Sequence, residues 1–307
     1  MTLEDKLDIP DVISVIIPCY GHSVELQACL RALFSQEGDF PYEVTVVDSS
    51  SDPRVKEITS HFPRVVLICS KMRLFPGAAR NLGVQYAASN WLAFLDADCI
   101  PDVYWIKGAF ESFRSRGKVT GGPILDVEPF HPIAWVDNRL QFADFQAGRP
   151  AGNLLHVPSC NMVMTRSIFE ETGGFREDLI IGEDVVFTAR VNERLPKGVW
   201  FNPKLIVRHQ GRSDWRRFIE HQQSFGFHRA NLGLFLGRSN AWLARFRIFA
   251  SLFVFRRLLY ISLRTLQFDR VGLARLILLL PLVLAGLIAW TKGLYLGMKE
   301  RKMEKNL

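Results

Sequence analysis

The chain has 307 residues and an apolar fraction of 48%, which is enough to bury a full core in one large domain or one domain with an appendage. Its five cysteines lie far apart, with no Cys-x-x-Cys pair, which disfavours a disulfide framework or a zinc site and fits reduced thiols in a cytosolic compartment. The acidic N-terminal stretch MTLEDKLDIPDVIS lacks an apolar core, so no secretory signal is expected.

The net charge of +7 is divided unevenly along the chain. Residues 1–209 carry 21 basic and 26 acidic side chains, whereas residues 210–307 carry 17 basic and 5 acidic ones. The basic part also contains long apolar stretches, and it resembles no nucleic-acid-binding motif. We therefore expect an anionic membrane surface as a partner, and no nucleic acid.

The first hundred residues alternate short apolar runs with helical patterns. Strands are predicted within residues 12–20, 42–53, 64–70 and 91–98, and helices within 24–36, 53–60 and 77–89. This alternation is typical of βαβ units that build a parallel sheet. Ligands of such sheets bind beyond the carboxyl ends of the strands, where Asp48, Asp96 and Asp98 are expected.

The pattern is looser after Asp102. The predicted elements are a helix at 102–115, a strand near 118–124, an irregular stretch at 125–153, a strand and short helix within 153–175, a helix from 182, and short strands within 198–212. Everything from residue 213 onward reads as helix. We therefore expect two domains, residues 1–212 and a basic, apolar helical region at 213–307.

Two long apolar segments lie in the C-terminal region. Residues 246–268 are interrupted by Arg256, Arg257 and Arg264, which favours a helix in the membrane interface with arginines reaching lipid phosphates. Residues 276–291 contain no charge, and as a helix they would be about 24 Å long against a hydrocarbon core of about 30 Å. Four interpretations stay open for this segment: a short membrane span, half of a re-entrant hairpin, a second interfacial helix, or part of a buried pair of core helices.

The stretch WLAFLDADCIPD (91–102) places Asp96 and Asp98 directly after an apolar run. Burying carboxylates is costly unless a partner offsets it. A divalent cation that bridges substrate phosphates would be such a partner, and hard oxygen ligands suit Mg²⁺ or Mn²⁺. Asp-x-Asp alone is a weak signal, because most instances are solvated loops, but its position after a βαβ strand strengthens the interpretation.

Six segments together resemble family-2 glycosyltransferases, which have the GT-A fold. They occur in the order and spacing of that family: VISVIIPCY, EVTVVDSSSD, PGAARNLGV, WLAFLDADCIPD, MVMTRSIFEETGGF and GEDVVF. The resemblance as a whole covers roughly residues 12–212. The resemblance implies an α/β fold with a mainly parallel, Rossmann-like sheet flanked by helices. It also implies a nucleotide-sugar donor, a divalent metal and an inverting transfer.

The resemblance assigns five residues to the nucleotide-sugar donor besides the metal motif. Pro18 and Tyr20 resemble the edge that contacts the nucleotide, and Asp48 is similar to the acid that meets its base. Arg80 and Asn81 match the helix that faces the donor, where an arginine can offset diphosphate charge. A solvated pair on a helix face is the alternative for these last two residues.

The family's metal and catalytic positions are also matched. Asp96 and Asp98 resemble the metal motif, with Asp96 also near the donor, and His209 resembles a histidine that reaches the metal or diphosphate. Asp184 resembles the base that takes the acceptor's proton, with Glu183 as an orienting group. The alternatives are a surface histidine at 209 and, at 183–184, two acids that merely favour a helix N-terminus.

Two departures from the family narrow the function. Many members carry a second acid where this chain has Ser49, which leaves the nucleotide base open, with a UDP-sugar as the first candidate. The segment WRRFIEHQQSFGFHRANLG lacks the Gln-x-x-Arg-Trp motif of processive synthases, which favours transfer of a single sugar. We expect a lipid-linked or polysaccharide-precursor acceptor at the cytoplasmic face of the cell membrane.

Two other protein classes compete with this interpretation. A sugar nucleotidyltransferase should carry a glycine-rich, basic loop after its first strand, and PCYGHSVEL has one glycine and no Lys or Arg. A catalytically degenerate nucleotide-sugar-binding scaffold at the membrane would be favoured by substitution at the metal or base positions, and neither is substituted here.

Overall fold

A computed structural model of the chain describes residues 12–21, 23–113, 119–235 and 250–304. The chain forms two compact units, one of residues 1–123 and 150–208 and the other of residues 124–149 and 209–307. The middle segment 124–149 therefore belongs with the C-terminal helices. The functional division at residue 212 stays a prediction.

An eight-stranded sheet forms the centre of the first unit. Its strands are β1 (Ile13–Cys19), β2 (Tyr42–Asp48), β3 (Val65–Cys69), β4 (Trp91–Leu95), β6 (Val119–Gly121), β8 (Gly152–Asn153), β9 (Asn161–Thr165) and β10 (Val199–Phe201). They lie in the order β3-β2-β1-β4-β9-β6-β10-β8. Strands β3, β2, β1 and β4 are parallel to one another, whereas β9 runs antiparallel to β4 and β6. β1 is almost wholly buried and apolar, as expected for a parallel strand covered on both faces.

Helices and short strands complete the first unit. They are α1 (Ser23–Leu33), α2 (Pro53–Ser60), α3 (Pro76–Tyr86), β5 (Cys99–Pro101), α4 (Trp105–Phe113), α6 (Arg166–Thr172) and α7 (Glu183–Arg194), with β11 (Val207–His209) at the boundary of the two units. α6 stops at Gly173, whose φ of 82° lies in the left-handed region that glycine adopts without strain. The mainly parallel sheet with flanking helices confirms the predicted α/β class.

The strand register aligns the carboxyl ends of β1, β2 and β4 at one edge of the sheet. Cys19 pairs with Asp48, and Ile16 pairs with Phe94, two residues before Asp96. β9 runs the opposite way and pairs Asn161 with Leu95, so the residues just before β9 also reach this edge. This edge is where the sequence places the site.

The second unit contains a strand and a group of helices. They are β7 (Ile124–Asp126), α5 (Pro132–Phe142), α8 (Trp215–Phe235), α9 (Ala250–Phe268), α10 (Arg270–Leu278) and α11 (Leu280–Glu304). Side chains of α5 and of all four C-terminal helices share one buried core, made of Trp135, Val136, Leu140, Ala143, Phe218, Ile261, Leu276, Val283 and Leu287.

The prediction of an irregular stretch at 125–153 is wrong, because α5 lies inside it. The helix begins after His131, whose side chain accepts a hydrogen bond from the backbone N–H of Ala134, and Pro132 occupies the first helical position. Histidine is not among the residues favoured as N-caps, and polar Asp137 and Asn138 interrupt the apolar pattern. Both polar side chains are buried, although polar residues normally mark the solvent face of a helix. The sequence of α5 therefore lacks the usual amphipathic pattern.

α11 packs directly against α8 through glycines. A Cβ added to Gly226 would lie 1.8 Å from the carbonyl oxygen of Trp290, and one added to Gly293 would lie 1.9 Å from that of Gln223. A Cβ on Gly297 would lie 2.4 Å from the carbonyl oxygen of Phe227. The two backbones are therefore in contact, with no room for side chains between them.

The two predicted apolar segments take different forms. Residues 246–249 of the first lie outside the described residues, and its remainder is α9. The second is divided at Leu279 between α10 and α11. By length and composition, Leu280–Glu300 could cross a membrane, with a mean hydropathy of 1.4, although 44% of it is buried within the protein.

Candidate active site

A buried cluster of charged side chains lies at the edge of the sheet where β1, β2 and β4 end. Arg80 on α3 is 2% exposed and donates from Nη2 to Asp96 Oδ1 (2.5 Å) and from Nη1 to Glu183 Oε1 (2.6 Å). Its Nε has no hydrogen-bond partner among the described residues. Asp96 follows β4 and Glu183 begins α7, so one guanidinium joins three elements of the first unit.

The charges of this cluster shift one another's pKa. Burial lowers the pKa of Arg80, but Asp96 and Glu183 more than offset this effect, and the pKa lies above its usual range. Burial in the first place and the neighbouring Asp184 in the second raise the pKa of Glu183 from 4.5 to about 7, against a partial offset by Arg80. Burial also raises the pKa of Asp184, against the attraction of Arg80 and the hydrogen bonds from Ser159 and Val185. Two adjacent acids therefore compete for protons closer to neutral pH than free carboxyls do.

The carboxylate of Asp184 is held in place by backbone groups. Oδ2 accepts from the N–H of Ser159 (3.2 Å), and Oδ1 accepts from the N–H of Val185 (2.7 Å). The residue before the two acids is Gly182, whose φ of 91° is strained for any side chain larger than hydrogen. The glycine in GEDVVF thus permits the turn that presents Glu183 and Asp184 from the start of α7.

Ser159 is a site residue that the sequence interpretation missed. Besides its backbone bond to Asp184, its Oγ donates to Glu183 Oε1 (3.3 Å), so one residue holds both acids. It lies two residues before β9, and only the antiparallel direction of that strand brings it to the edge where β4 ends. Nothing in the motif PSCNM reveals that direction.

The residues assigned to the nucleotide lie along the same edge. Tyr20, directly after β1, is exposed, and the guanidinium of Arg73 lies 4.4 Å from its ring. Asp48 is buried, and its Oδ1 accepts from the backbone N–H (2.9 Å) and the Oγ (2.6 Å) of Ser50. Pro18 is partly buried in β1. Their contacts with a nucleotide stay predictions, and Arg73 is an addition that the sequence did not suggest.

Ser49 has the position next to Asp48 where many related chains carry an acid. It is buried, and its Oγ has no hydrogen-bond partner among the described residues. An unpartnered buried hydroxyl costs free energy, so this atom is a ready donor or acceptor for a bound group. The assignment of the nucleotide base stays open.

Asn81 holds a loop of the protein in this structure. Its Nδ2 donates to the carbonyl oxygen of Phe175 (2.9 Å) and to Glu177 Oε1 (2.9 Å), and its Oδ1 accepts from the N–H of Phe175 (3.0 Å). Both ends of the amide are therefore used to fix the loop before α7. Its contact with the donor stays a prediction.

His209 belongs to the second unit and is buried there. Its Nδ1 lies 2.7 Å from Asn138 Oδ1, and Asn138 Nδ2 donates to Asp126 Oδ1 (2.8 Å) and to the backbone carbonyl of His209 (3.0 Å). Because the amide nitrogen is committed as a donor, Oδ1 is the acceptor, and His209 carries its proton on Nδ1. The role of His209 as a metal ligand stays a prediction.

A family model settles the broad class of the chain. The model described as Glycosyl transferase family 2 matches residues 14–173, which is more than half of the chain. The chain belongs to this family.

Similar proteins agree with this family-2 assignment. AglE, a glycosyltransferase of Haloferax volcanii, is 30% identical over 189 residues, which are 59% of this chain and 61% of AglE. The mannosyltransferase PcManGT of Pyrobaculum calidifontis, solved with GDP-Man and Mn²⁺, has a TM-score of 0.56 at 18% identity and covers 92% of this chain and 86% of its own. TarS of S. aureus, solved with UDP-GlcNAc, has a TM-score of 0.54 at 16% identity and covers 95% and 92%. At these identities the solved structures confirm the GT-A fold.

The family-2 chain offers only part of a metal site by itself. Within the parts of the chain that the structure describes, no group of three or more His, Cys, Asp or Glu side chains could hold a metal. Asp96 and Asp98 lie on the turn after β4 and are both partly exposed, and Arg80 engages Asp96 at Oδ1, not at Oδ2. Mg²⁺ is commonly bound by one or two carboxylates plus substrate phosphates, so this donor set fits a metal that arrives with a diphosphate.

Proposed function

We propose that this protein is an inverting glycosyltransferase that moves one sugar from a nucleotide-diphosphate sugar to a lipid-linked or polysaccharide-precursor acceptor. We place the reaction at the cytoplasmic face of the cell membrane, as a step in the synthesis of a cell-envelope polysaccharide. The chain spans 61% of the length of AglE, so the proposal concerns the chemistry of this chain and not that of the relative.

One observation carries the proposal: Asp184, held by two backbone N–H groups, lies beside the Arg80–Asp96–Glu183 cluster at the carboxyl edge of a GT-A sheet. Inverting transfer needs one carboxylate to accept the acceptor's hydroxyl proton. The oxygen of the deprotonated acceptor hydroxyl then attacks the anomeric carbon of the donor sugar. The bond between this carbon and the diphosphate breaks on the opposite face of the sugar. A base is most effective when its pKa approaches the working pH, and burial raises the pKa of Asp184 in that direction.

The remaining residues of the cluster would support this base. Glu183 lies next to Asp184 and holds a proton more readily than a free glutamate, which limits the negative charge beside the base. Arg80 fixes Glu183 and Asp96 relative to one another. Asp96 and Asp98 would hold Mg²⁺ or Mn²⁺, with His209 as a further candidate ligand, and a bound metal would neutralise charge on the leaving diphosphate.

The donor assignment rests on the residues after β1 and β2. Tyr20 has an exposed ring on which the nucleotide base can stack, and Asp48 has a carboxylate that can accept hydrogen bonds from N–H groups of the base. Pro18 lies near the end of β1 and is partly buried. Arg80 and Asn81, on the helix beside this edge, would lie near the diphosphate and sugar. The neighbours solved with GDP-Man and with UDP-GlcNAc support a nucleotide-sugar donor of this chemical class, and a UDP-sugar is the first candidate.

The C-terminal region supports the membrane location. Residues 213–307 combine net positive charge with apolar helices, one of which is long enough to cross a membrane. We propose residues 1–212 as the catalytic part and residues 213–307 as the membrane-associating part. Transfer of a single sugar is supported by the missing Gln-x-x-Arg-Trp motif.

A membrane scaffold that binds nucleotide sugars without turnover is the second candidate. It is favoured by the closed ion pairs of Arg80, which already neutralise Asp96 and Glu183 inside the protein. The two candidates differ in turnover, because a scaffold would bind the donor and leave it intact.

The test is slow hydrolysis of UDP-sugars and GDP-mannose with Mn²⁺ present. We expect the wild type to hydrolyse at least one donor, Asp184→Asn to be slower by about 100-fold or more, and Asp39→Asn, an exposed acid before β2, to be unchanged. Equal rates for Asp184→Asn and the wild type would overturn the base assignment. Donor binding without hydrolysis in either protein would favour the scaffold.

A further inference from the structure

Helix α9 carries an uninterrupted row of exposed apolar side chains. Leu252, Phe255, Leu259, Leu263 and Leu266 are between 48% and 73% exposed. Their spacing of three and four residues places them on one face of the helix. Water-exposed apolar rows of this kind mark a surface that is normally covered by a partner or a membrane.

The next helix continues this exposure. Val271, Ile277 and Leu278 on α10, which follows α9 after Asp269, are 66% to 86% exposed. We refer to these three residues and the α9 row together as the α9–α10 face. It is a surface of two consecutive helices of the same unit.

The charged side chains that α9 and α10 themselves carry are almost all positive. Residues 250–280 contain five arginines and one acid, Asp269. That acid is already used, since its Oδ2 pairs with Arg139 (2.7 Å) and its Oδ1 caps α10 through the N–H of Gly272 (2.9 Å). Arg256 and Arg270 are exposed, so the surface attracts anions.

A surface cavity lies on this face and combines both properties. It has a volume of about 740 Å³, and its lining includes Leu263, Leu266 and two arginines. Arg264 is already paired with Asp144 Oδ1 (2.9 Å), and Arg270 is exposed. Apolar walls with guanidinium groups suit a lipid, whose phosphate is anionic and whose chains are apolar.

Helix α11, although long and apolar enough to cross a membrane, is occupied by other contacts. Val283 and Leu287 are buried in the core of the second unit, and Gly293 and Gly297 lie against the backbone of α8. α8 itself carries exposed charged side chains, among them Arg216. A span formed by α11 in this arrangement would take those charges toward the hydrocarbon, which is costly.

We propose that the α9–α10 face lies in the headgroup region of an anionic bilayer, parallel to its plane, and that α11 does not cross the membrane. The inference rests on the proposed membrane location and specifies the surface that produces it. The leucines and Phe255 enter the boundary of the acyl chains to about 5–10 Å, as interfacial helices do. The exposed arginines bind the lipid phosphates.

The test uses the full chain with vesicles of phosphatidylcholine, alone or mixed with phosphatidylglycerol, in a co-sedimentation assay. Leu259→Glu combined with Leu263→Glu should weaken binding to the mixed vesicles by about tenfold or more, because each substitution places a charge where an exposed leucine would enter the bilayer. Arg256→Gln combined with Arg270→Gln should weaken it several-fold and reduce its salt dependence. Val66→Glu, at an exposed position on β3, is the matched control and should bind like the wild type.

Three outcomes would overturn the proposal. In the first, the double leucine variant binds mixed vesicles as tightly as the wild type does. In the second, the wild type binds neutral and mixed vesicles equally. In the third, the wild type is a dimer in solution and the double leucine variant is a monomer. The first would indicate a span through α11, and the last a second copy on the same face. Hydrolysis of a nucleotide sugar, measured on each variant, separates this result from the proposed function, because it should persist when vesicle binding is lost.

Discussion

Replacing Glu183 by glutamine should stabilise the protein at alkaline pH. The carboxyl group is buried, next to Asp184, and among the described residues it pairs with one cation, Arg80, which it shares with Asp96. Its ionised form is therefore disfavoured in the folded state, despite the ion pair. Glutamine keeps the size and one acceptor oxygen without the charge.

The pKa sets the size and the pH window of the effect. The pKa of Glu183 rises from 4.5 to about 7 on folding, so the folded protein binds this proton more tightly than the unfolded chain does. Stability from this group is then complete below pH 4.5, falls as pH rises from 4.5 to about 7, and stays low above that. At 1.36 kcal/mol per unit, the ionised carboxyl costs about 3 kcal/mol above pH 7. Glutamine avoids this cost.

Urea denaturation at several pH values between 5 and 8 measures the difference. We expect the free energy of unfolding of Glu183→Gln to exceed that of the wild type by up to about 3 kcal/mol at pH 8 and by about 1 kcal/mol or less at pH 5. Glu193→Gln, an exposed residue on the same helix, should follow the wild type throughout. The reasoning is refuted if the curves of Glu183→Gln and the wild type stay parallel, or if the variant is the less stable protein at pH 8.

Two further predictions concern the metal motif and the core of the second unit. Asp98→Ala should lose the Mn²⁺-dependent part of its affinity for UDP and keep the affinity measured without metal, as calorimetry can show. An unchanged affinity in the presence of Mn²⁺ would remove Asp98 from the metal site. Leu287→Ala should lower the free energy of unfolding by about 2–5 kcal/mol, because this side chain is fully buried in the core. Its exposed neighbour Ile288 provides the control, since Ile288→Ala should cost about 1 kcal/mol or less, and equal losses would contradict the packing of α11.

The parts of the fold that depend on local patterns could be predicted from the sequence. The strand–helix alternation gave β1 to β4 and α2 closely, since buried parallel strands are continuous apolar runs and α2 carries an Asp-Pro start. The placement of Asp48 and Asp96 at one edge followed from parallel strands ending together. α5 was missed because its start and its buried Asp137 and Asn138 give no clear helical pattern.

The parts of the site that depend on long-range contacts could not be predicted. Arg80 and Glu183 are 103 positions apart, and their pairing requires knowledge of which helices meet at the sheet edge. Ser159 reaches Asp184 only because β9 is antiparallel to β4. A run of apolar residues predicts a buried strand but does not reveal the direction in which the strand runs. Motif order identified the acids, whereas their partners had to come from the fold.

The origin of α5 has a consequence for how this protein can be shortened. Trp135, Val136 and Leu140 come from the middle of the chain, yet α8 to α11 complete the core in which they are buried. A truncated chain that ends near residue 240 would uncover these side chains and invite aggregation, and aggregated protein sediments with membranes for reasons unrelated to lipid. Fractionation of tail deletions would thus give a misleading answer, and point substitutions on an intact chain are the sounder route to the membrane question.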